Sequence, residues 1–163
     1  MSVPAPLEEL PLLVRAGSVL ALLPESVDTL APYGSGDVVR LDETQRRLHL
    51  LAFPRARSAS SFGESGRLAS RSRRGRWTLS IRGARRHRIL LEASLTTSAK
   101  RLRPCAVLVG RKRLKPKTWS ARRGVLRARF RTGKRARTRV TVLDRSRCAA
   151  RTGRGEGAGG GRR

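Results

Sequence analysis

The sequence predicts an all-β protein, an antiparallel β-sandwich of the immunoglobulin-like kind, and three observations carry that prediction. Trp77, Leu79 and Ile81 alternate with Thr78, Ser80 and Arg82. Leu126, Ala128 and Phe130 alternate in the same way with Arg127, Arg129 and Arg131. A period of two is what a half-buried strand requires. The other apolar stretches are short, and Gly, Pro or basic turns close them. Many short strands punctuated in this way point to a sandwich and away from a helical or α/β fold.

The first strand lies within Pro6 to Pro24: Pro11 removes a ladder donor where the run begins, Gly17 lets the backbone bend at the polar step Arg15-Ala16-Gly17, and Pro24 closes it. Tyr33 to Asp37 is a turn cluster, and Val38 to Leu41 a short extended piece. Leu48 to Phe53 forms the next strand, ended by Pro54. Residues 55–76 are rich in Ser, Arg and Gly and read as a polar span containing the turn Phe62-Gly63-Glu64-Ser65-Gly66. The strand from Trp77 ends at Gly83, and Ile89, Leu91, Ala93 and Leu95 resume the alternation after the basic turn Ala84 to Arg88, which predicts an antiparallel hairpin. Cys105 to Val109 with Gly110, Val125 to Phe130, and Arg139 to Leu143 supply further strands, while Leu114 leads toward Trp119. Residues 144–163 have almost nothing apolar to bury and are expected to be disordered.

The run Pro6-Leu7-Glu8-Glu9-Leu10-Pro11-Leu12-Leu13-Val14-Arg15-Ala16-Gly17-Ser18-Val19-Leu20 resembles a segment of the glycoside hydrolase family 31 enzymes, the α-glucosidases and α-xylosidases. In that family the segment lies in the β-sandwich directly after the catalytic barrel. Phe53-Pro54-Arg55 resembles the family's F-P-R-G step, with Ala56 in place of the glycine. Phe62 to Gly66 occupies the slot of a Y-E-D-D-G turn and has lost most of its carboxylates. Across Val107 to Leu126 the order V-x-V-G-x-x-x-L, then W, then G-V-L is similar to the last sandwich domain of the family. The resemblance implies part of a proximal C-terminal sandwich in residues 1–55, a distal sandwich in 56–143, and an Arg/Gly-rich tail in 144–163.

Length agrees with an accessory piece. The 163 residues allow one ordinary domain or two small ones, and a (β/α)8 barrel of roughly 250 residues does not fit. No apolar run reaches the roughly 18 residues of a bilayer span, because Arg15 interrupts the longest, and the N-terminus has no basic n-region of a secretory signal.

The formal charge of +27 points on its face to a polyanion. Composition weakens that reading, because 33 of the basic residues are Arg, asparagine is absent, and Ile81 and Ile89 are the only isoleucines, the profile of a GC-rich coding sequence. The charge is also asymmetric. Residues 1–50 carry four arginines against seven acids, and the remaining 113 residues carry 34 basic and four acidic groups. No RNA-binding aromatic motif, zinc finger or heptad-bearing basic region accompanies it.

The reactive residue types assemble no chemistry. Retaining glycoside hydrolysis needs two carboxyl groups about 5 to 5.5 Å apart, and the adjacent pairs Glu8-Glu9 and Asp42-Glu43 would point to opposite faces of a strand. His49 sits in an apolar strand as a core or edge residue, and His87 in a basic turn as a solvated one. Cys105 reads as a small hydrophobe and Cys148 as part of the tail; two cysteines make neither a zinc site nor a disulfide framework, although a bridge between them is open to an exported protein. Gly63-Glu64-Ser65-Gly66 falls short of a nucleophile elbow because Arg67 stands where glycine is needed. Gly155, Gly157 and Gly160 match a dinucleotide fingerprint only formally, with no strand close before them and no helix after. The sequence therefore calls for no catalytic residue, no cofactor and no metal. Its expected role is that of a non-catalytic segment that buttresses the barrel of a family 31 glycosidase, the barrel being its partner. The alternative is an independent Arg-rich domain that binds nucleic acid or another polyanion.

Overall fold

A computed structural model of the chain describes residues 13–23, 46–63, 65–134 and 137–152. The expected turn at Tyr33 to Asp37, the piece at Val38 to Leu41, and the acids Glu8, Glu9, Asp42 and Glu43 lie outside those residues. The described chain forms eleven strands in two sheets. The first sheet has the order β1 (Val19–Leu22), β2 (Arg47–Ala52), β6 (Arg88–Ser94), β10 (Val125–Arg131), β9 (Trp119–Arg122). The second has the order β3 (Arg57–Phe62), β4 (Gly66–Arg73), β5 (Arg76–Arg82), β11 (Arg137–Asp144), β7 (Pro104–Val109), β8 (Lys112–Arg113). This is the all-β sandwich that the alternation predicts.

The core is the meeting of the two alternating faces. Leu48, Leu50 and Ala52 of β2, Ile89, Leu91 and Ala93 of β6, and Leu126 and Ala128 of β10 face Leu68 of β4, Trp77, Leu79 and Ile81 of β5, Val140 and Val142 of β11, and Val107 of β7 in one continuous cluster. Burying each large side chain contributes about 1.5–3 kcal/mol, and the Trp77 indole N–H donates to Ser70 Oγ at 2.9 Å, so the largest buried side chain leaves no unpaired donor. The strands before residue 55 share this cluster with those after it.

Four expectations need correction. Strands β5 and β6 do not form a hairpin. Strand β5 lies between β4 and β11, and β6 lies between β2 and β10 in the other sheet. Each strand has a single apolar face, and crossing between sheets lets those faces meet, whereas pairing side by side would leave them looking the same way. The pairing of β2 with β6 is parallel, because β3, β4 and β5 intervene as a crossover through the second sheet.

Residues 55–76 are not a polar span but hold β3 and β4. Their inward positions on β4 are filled by Gly66, Leu68 and Ser70, where one leucine between a glycine and a serine does not register as a hydrophobic stripe. The tail expected after Leu143 begins as helix α1 (Arg145–Thr152). Its start is fixed by Asp144, whose carboxylate accepts from Ser146 N–H at 3.2 Å and Ser146 Oγ at 2.8 Å. Lastly, Cys105 and Cys148 are joined by a disulfide across 43 residues, tying α1 to β7. Residues 153–163, including the glycines from Gly155, lie outside the described residues.

Candidate functional site

The polar step in the first apolar run is a corner that joins the two sheets. Gly17 N–H donates to Phe53 O at 2.6 Å, Ser18 N–H to Arg15 O at 3.1 Å, and Phe53 N–H to Ser18 O at 2.9 Å. From the edge of the second sheet, Ser58 Oγ donates to Gly17 O and Ser60 Oγ to Val19 O, the latter at 3.0 Å. Gly17 has φ +105°, and a Cβ there would stand 2.8 Å from Arg55 O, so the bend demands glycine on conformation and on space. Nearby Ala56 has φ 47°. This is the position where the F-P-R-G step has glycine, and the alanine here holds a left-handed conformation that costs L-residues about 1–2 kcal/mol.

Beyond this corner the outer face of the first sheet carries leucines on β1, β2 and β6 and arginines on β10. Facing away from the core, Leu20 of β1 stands opposite Leu51 of β2, Leu51 opposite Glu92 of β6, and Glu92 opposite Arg127 of β10. In the next row Leu22 is opposite His49, His49 opposite Leu90, and Leu90 opposite Arg129. Leu13, Leu22 and Leu23 are exposed large hydrophobics. A shallow depression of about 720 Å³, bordered by His49, Leu90 and Glu92 and by Arg47, Arg88, Arg129 and Arg131, lies on this face. Arg127 Nε donates to Glu92 Oε1 at 2.9 Å, while His49 Nε2 stands 3.8 Å from the same oxygen and is buried without a hydrogen-bond partner.

The remaining reactive residues are dispersed. The carboxylates among the described residues are Glu92, in the first sheet, and Asp144, at the end of β11 in the second. Asp144 titrates below the ordinary carboxylate range: burial alone would raise it, but hydrogen bonds from Arg103 N–H at 2.6 Å, from Ser146, and from Arg145 N–H outweigh that. His87, expected to be solvated, is buried instead. Its N–H donates to Thr132 Oγ1 at 2.8 Å, and its ring meets Phe62 edge-on with centroids 5.7 Å apart. Gly63, Ser65 and Gly66 form the β3–β4 connection, with Glu64 outside the described residues, and Gly66 begins a strand, so no strand-to-helix elbow exists there. Among the described residues no three His, Cys, Asp or Glu side chains cluster as a metal site, and no helix is long and apolar enough to cross a membrane.

Sequence reasoning missed the outward leucines as a feature, because Leu20, Leu51 and Leu90 lie in separate strands next to core residues. Only the pairing of β1, β2 and β6 gathers them. A weak signal was present in the unbroken apolar runs Val19-Leu20-Ala21-Leu22-Leu23 and Leu48-His49-Leu50-Leu51-Ala52, which are too continuous for a strand with one wet face.

No protein-family model matches the sequence, and no curated protein matches it. Among solved structures, the fold is similar to a GH31 dextranase of Flavobacterium johnsoniae. A mutant of that enzyme complexed with isomaltotriose matches with a TM-score of 0.54 and 14% identity, over 80% of this chain and 19% of that one. The same dextranase complexed with glucose gives a TM-score of 0.51 at 14% identity and the same coverage. The chain thus spans about a fifth of the length of these enzymes and shares with that portion a β-sandwich fold.

Proposed function

We propose that this chain is an accessory, non-catalytic β-sandwich of a family 31 glycoside hydrolase, docking onto a catalytic barrel through the leucine face of the first sheet. One observation carries the reading: Leu20, Leu22, Leu51 and Leu90 form a patch on the side of the sheet that the core does not use. Antiparallel sheets with one wet face put polar residues there. Apolar rows on both faces belong to a sheet with a further layer against it. The fold likeness to about a fifth of a dextranase supports the remainder of such an enzyme as the occupant. The resemblance of the Leu12 to Leu20 segment to the strand after the family's barrel supports the same choice.

In this role the domain performs no bond cleavage. It holds the barrel wall from outside, through a corner made rigid by Gly17 and by five hydrogen bonds that involve Arg15, Phe53, Ser58 and Ser60. The parent reaction is hydrolysis of α-glycosidic bonds, with both carboxyl groups supplied by the barrel. The test is titration of the full chain against a family 31 barrel expressed without its C-terminal sandwiches. Binding is expected to survive rising ionic strength, since apolar docking is not screened. The pair Leu51→Glu and Leu90→Glu should abolish it while shifting the folding free energy by no more than about 0.5 kcal/mol. Hydrolysis of isomaltotriose by the chain alone, or unchanged binding by the glutamate variant, would refute the proposal.

A further inference from the structure

We propose that one end of the sandwich binds an acidic polysaccharide through two ladders of arginine. In the first sheet Arg47 stands opposite Arg88 and Arg88 opposite Arg131. In the second, Arg67 stands opposite Arg82 and Arg82 opposite Arg137. Strand β5 runs directly into β6, and β10 into β11, so both ladders lie at the same end of the molecule, one on the outer face of each sheet. All six side chains are exposed.

Neighbouring strands are about 4.8 Å apart, so each ladder sets three positive charges within about 10 Å. Like charges directly opposite one another weaken strand pairing. The described carboxylates do not relieve this: Glu92 is engaged by Arg127, and Asp144 by Arg103 and Ser146. A ligand carrying negative groups would.

The surface is also preformed. Arg46, Arg47, Arg86, Arg88 and Arg131 line a groove of about 500 Å³ together with Thr132. Arg88 N–H donates to Arg46 O at 2.7 Å and Thr132 N–H to His87 O at 2.9 Å, which fixes the backbone carrying these side chains before any ligand arrives. A guanidinium fork matches the planar carboxylate and the sulfate ester in bidentate fashion. A nucleic-acid strand, by contrast, is held largely by stacking of its bases on exposed rings. At this end Phe62 is engaged with His87 and Phe130 is packed against the core. The observations therefore favour a glycan whose charges, not its ring faces, are read. The first ladder is the next row of the same outer face that carries His49 and Leu90, so the two proposals are told apart by their variants: Leu51→Glu with Leu90→Glu reads barrel docking, and the arginine triple reads the glycan.

The experiment measures binding of the full chain to heparin (sulfate), alginate (carboxylate), neutral dextran and a single-stranded oligonucleotide. Heparin or alginate is expected to bind, with affinity falling steeply between about 50 and 200 mM salt, and dextran is not. The triple variant Arg47→Gln, Arg88→Gln, Arg131→Gln should bind about tenfold or more weakly. The triple variant Arg73→Gln, Arg76→Gln, Arg122→Gln, with the same charge change at the opposite end, should stay within about twofold. Without glycan, the first variant should melt higher than the unaltered chain, because its cross-strand repulsion is gone; this also establishes that it folds. Failure of both acidic glycans to bind, an equal loss in the opposite-end variant, or tighter binding of the oligonucleotide would overturn the proposal.

Discussion

The two sheets share one core but are secured and finished differently. The second sheet is tied from outside: the Cys105–Cys148 disulfide and the Asp144 cap hold α1 against β7 and β11, and the exposed outward residues on β4 and β5 are Arg67, Ala69, Arg71, Arg73, Arg76 and Arg82. The first sheet has no such tie among the described residues, and its outward rows carry leucine on β1, β2 and β6 beside arginine on β10. The core alone therefore does not say what a domain is for. Two faces that share one core can carry different residues on their outer sides.

The largest effect is expected at the core that the sheets share. Trp77→Ala should cost about 3–5 kcal/mol, from the cavity and from Ser70 left without its indole partner, read by urea denaturation. A loss confined to probes in the second sheet would show that the two sheets do not fold as one unit. Next in size is the external tie. Cys148→Ser, or reduction of the bridge, should lower stability by about 2–4 kcal/mol, as expected for opening a loop of this length. Hydrogen exchange should locate the loosening at α1 and β7, leaving β1 and β2 protected.

A smaller effect tests the cap. Asp144→Ala should cost about 1 kcal/mol at neutral pH. The sign of its pH dependence is set by the folded carboxyl titrating below its ordinary value. Its contribution is full above the unfolded pKa near 3.8 and disappears as pH falls through the lower folded value. Denaturation curves at pH 7 and at about pH 2 should therefore converge for the variant and the unaltered chain at the acid end. The smallest effect is a gain: Ala56→Gly, at the passage from the first sheet to the second, should add about 0.5–1 kcal/mol by relieving its positive φ, measured by thermal melting.

Legibility tracked how much of each element depends on its own residues. Trp77-Leu79-Ile81 and Leu126-Ala128-Phe130 declared themselves because alternation is local, and Gly17 because a bend inside an apolar run requires it. Strands β3 and β4 did not, because their inward side chains, such as Ser70, are acceptable only opposite a neighbour like Trp77. Helix α1 looked like tail because it contributes little apolar surface, and the bridge from Cys148 to Cys105 is what attaches it. The leucine face and the arginine ladders were invisible for one reason in common. Each is made of residues dozens of positions apart, gathered by strand pairing.

Sequence by itself determined the class of fold, the placing of most strands, and which residues look inward, since these come from the two-residue pleat and from where Gly and Pro interrupt it. Long-range packing set the rest: β5 and β6 belong to different sheets, β2 runs parallel to β6, and His87 is buried. The physical reason is that partner choice minimises exposed apolar area over the whole chain. No window of neighbouring residues contains that sum.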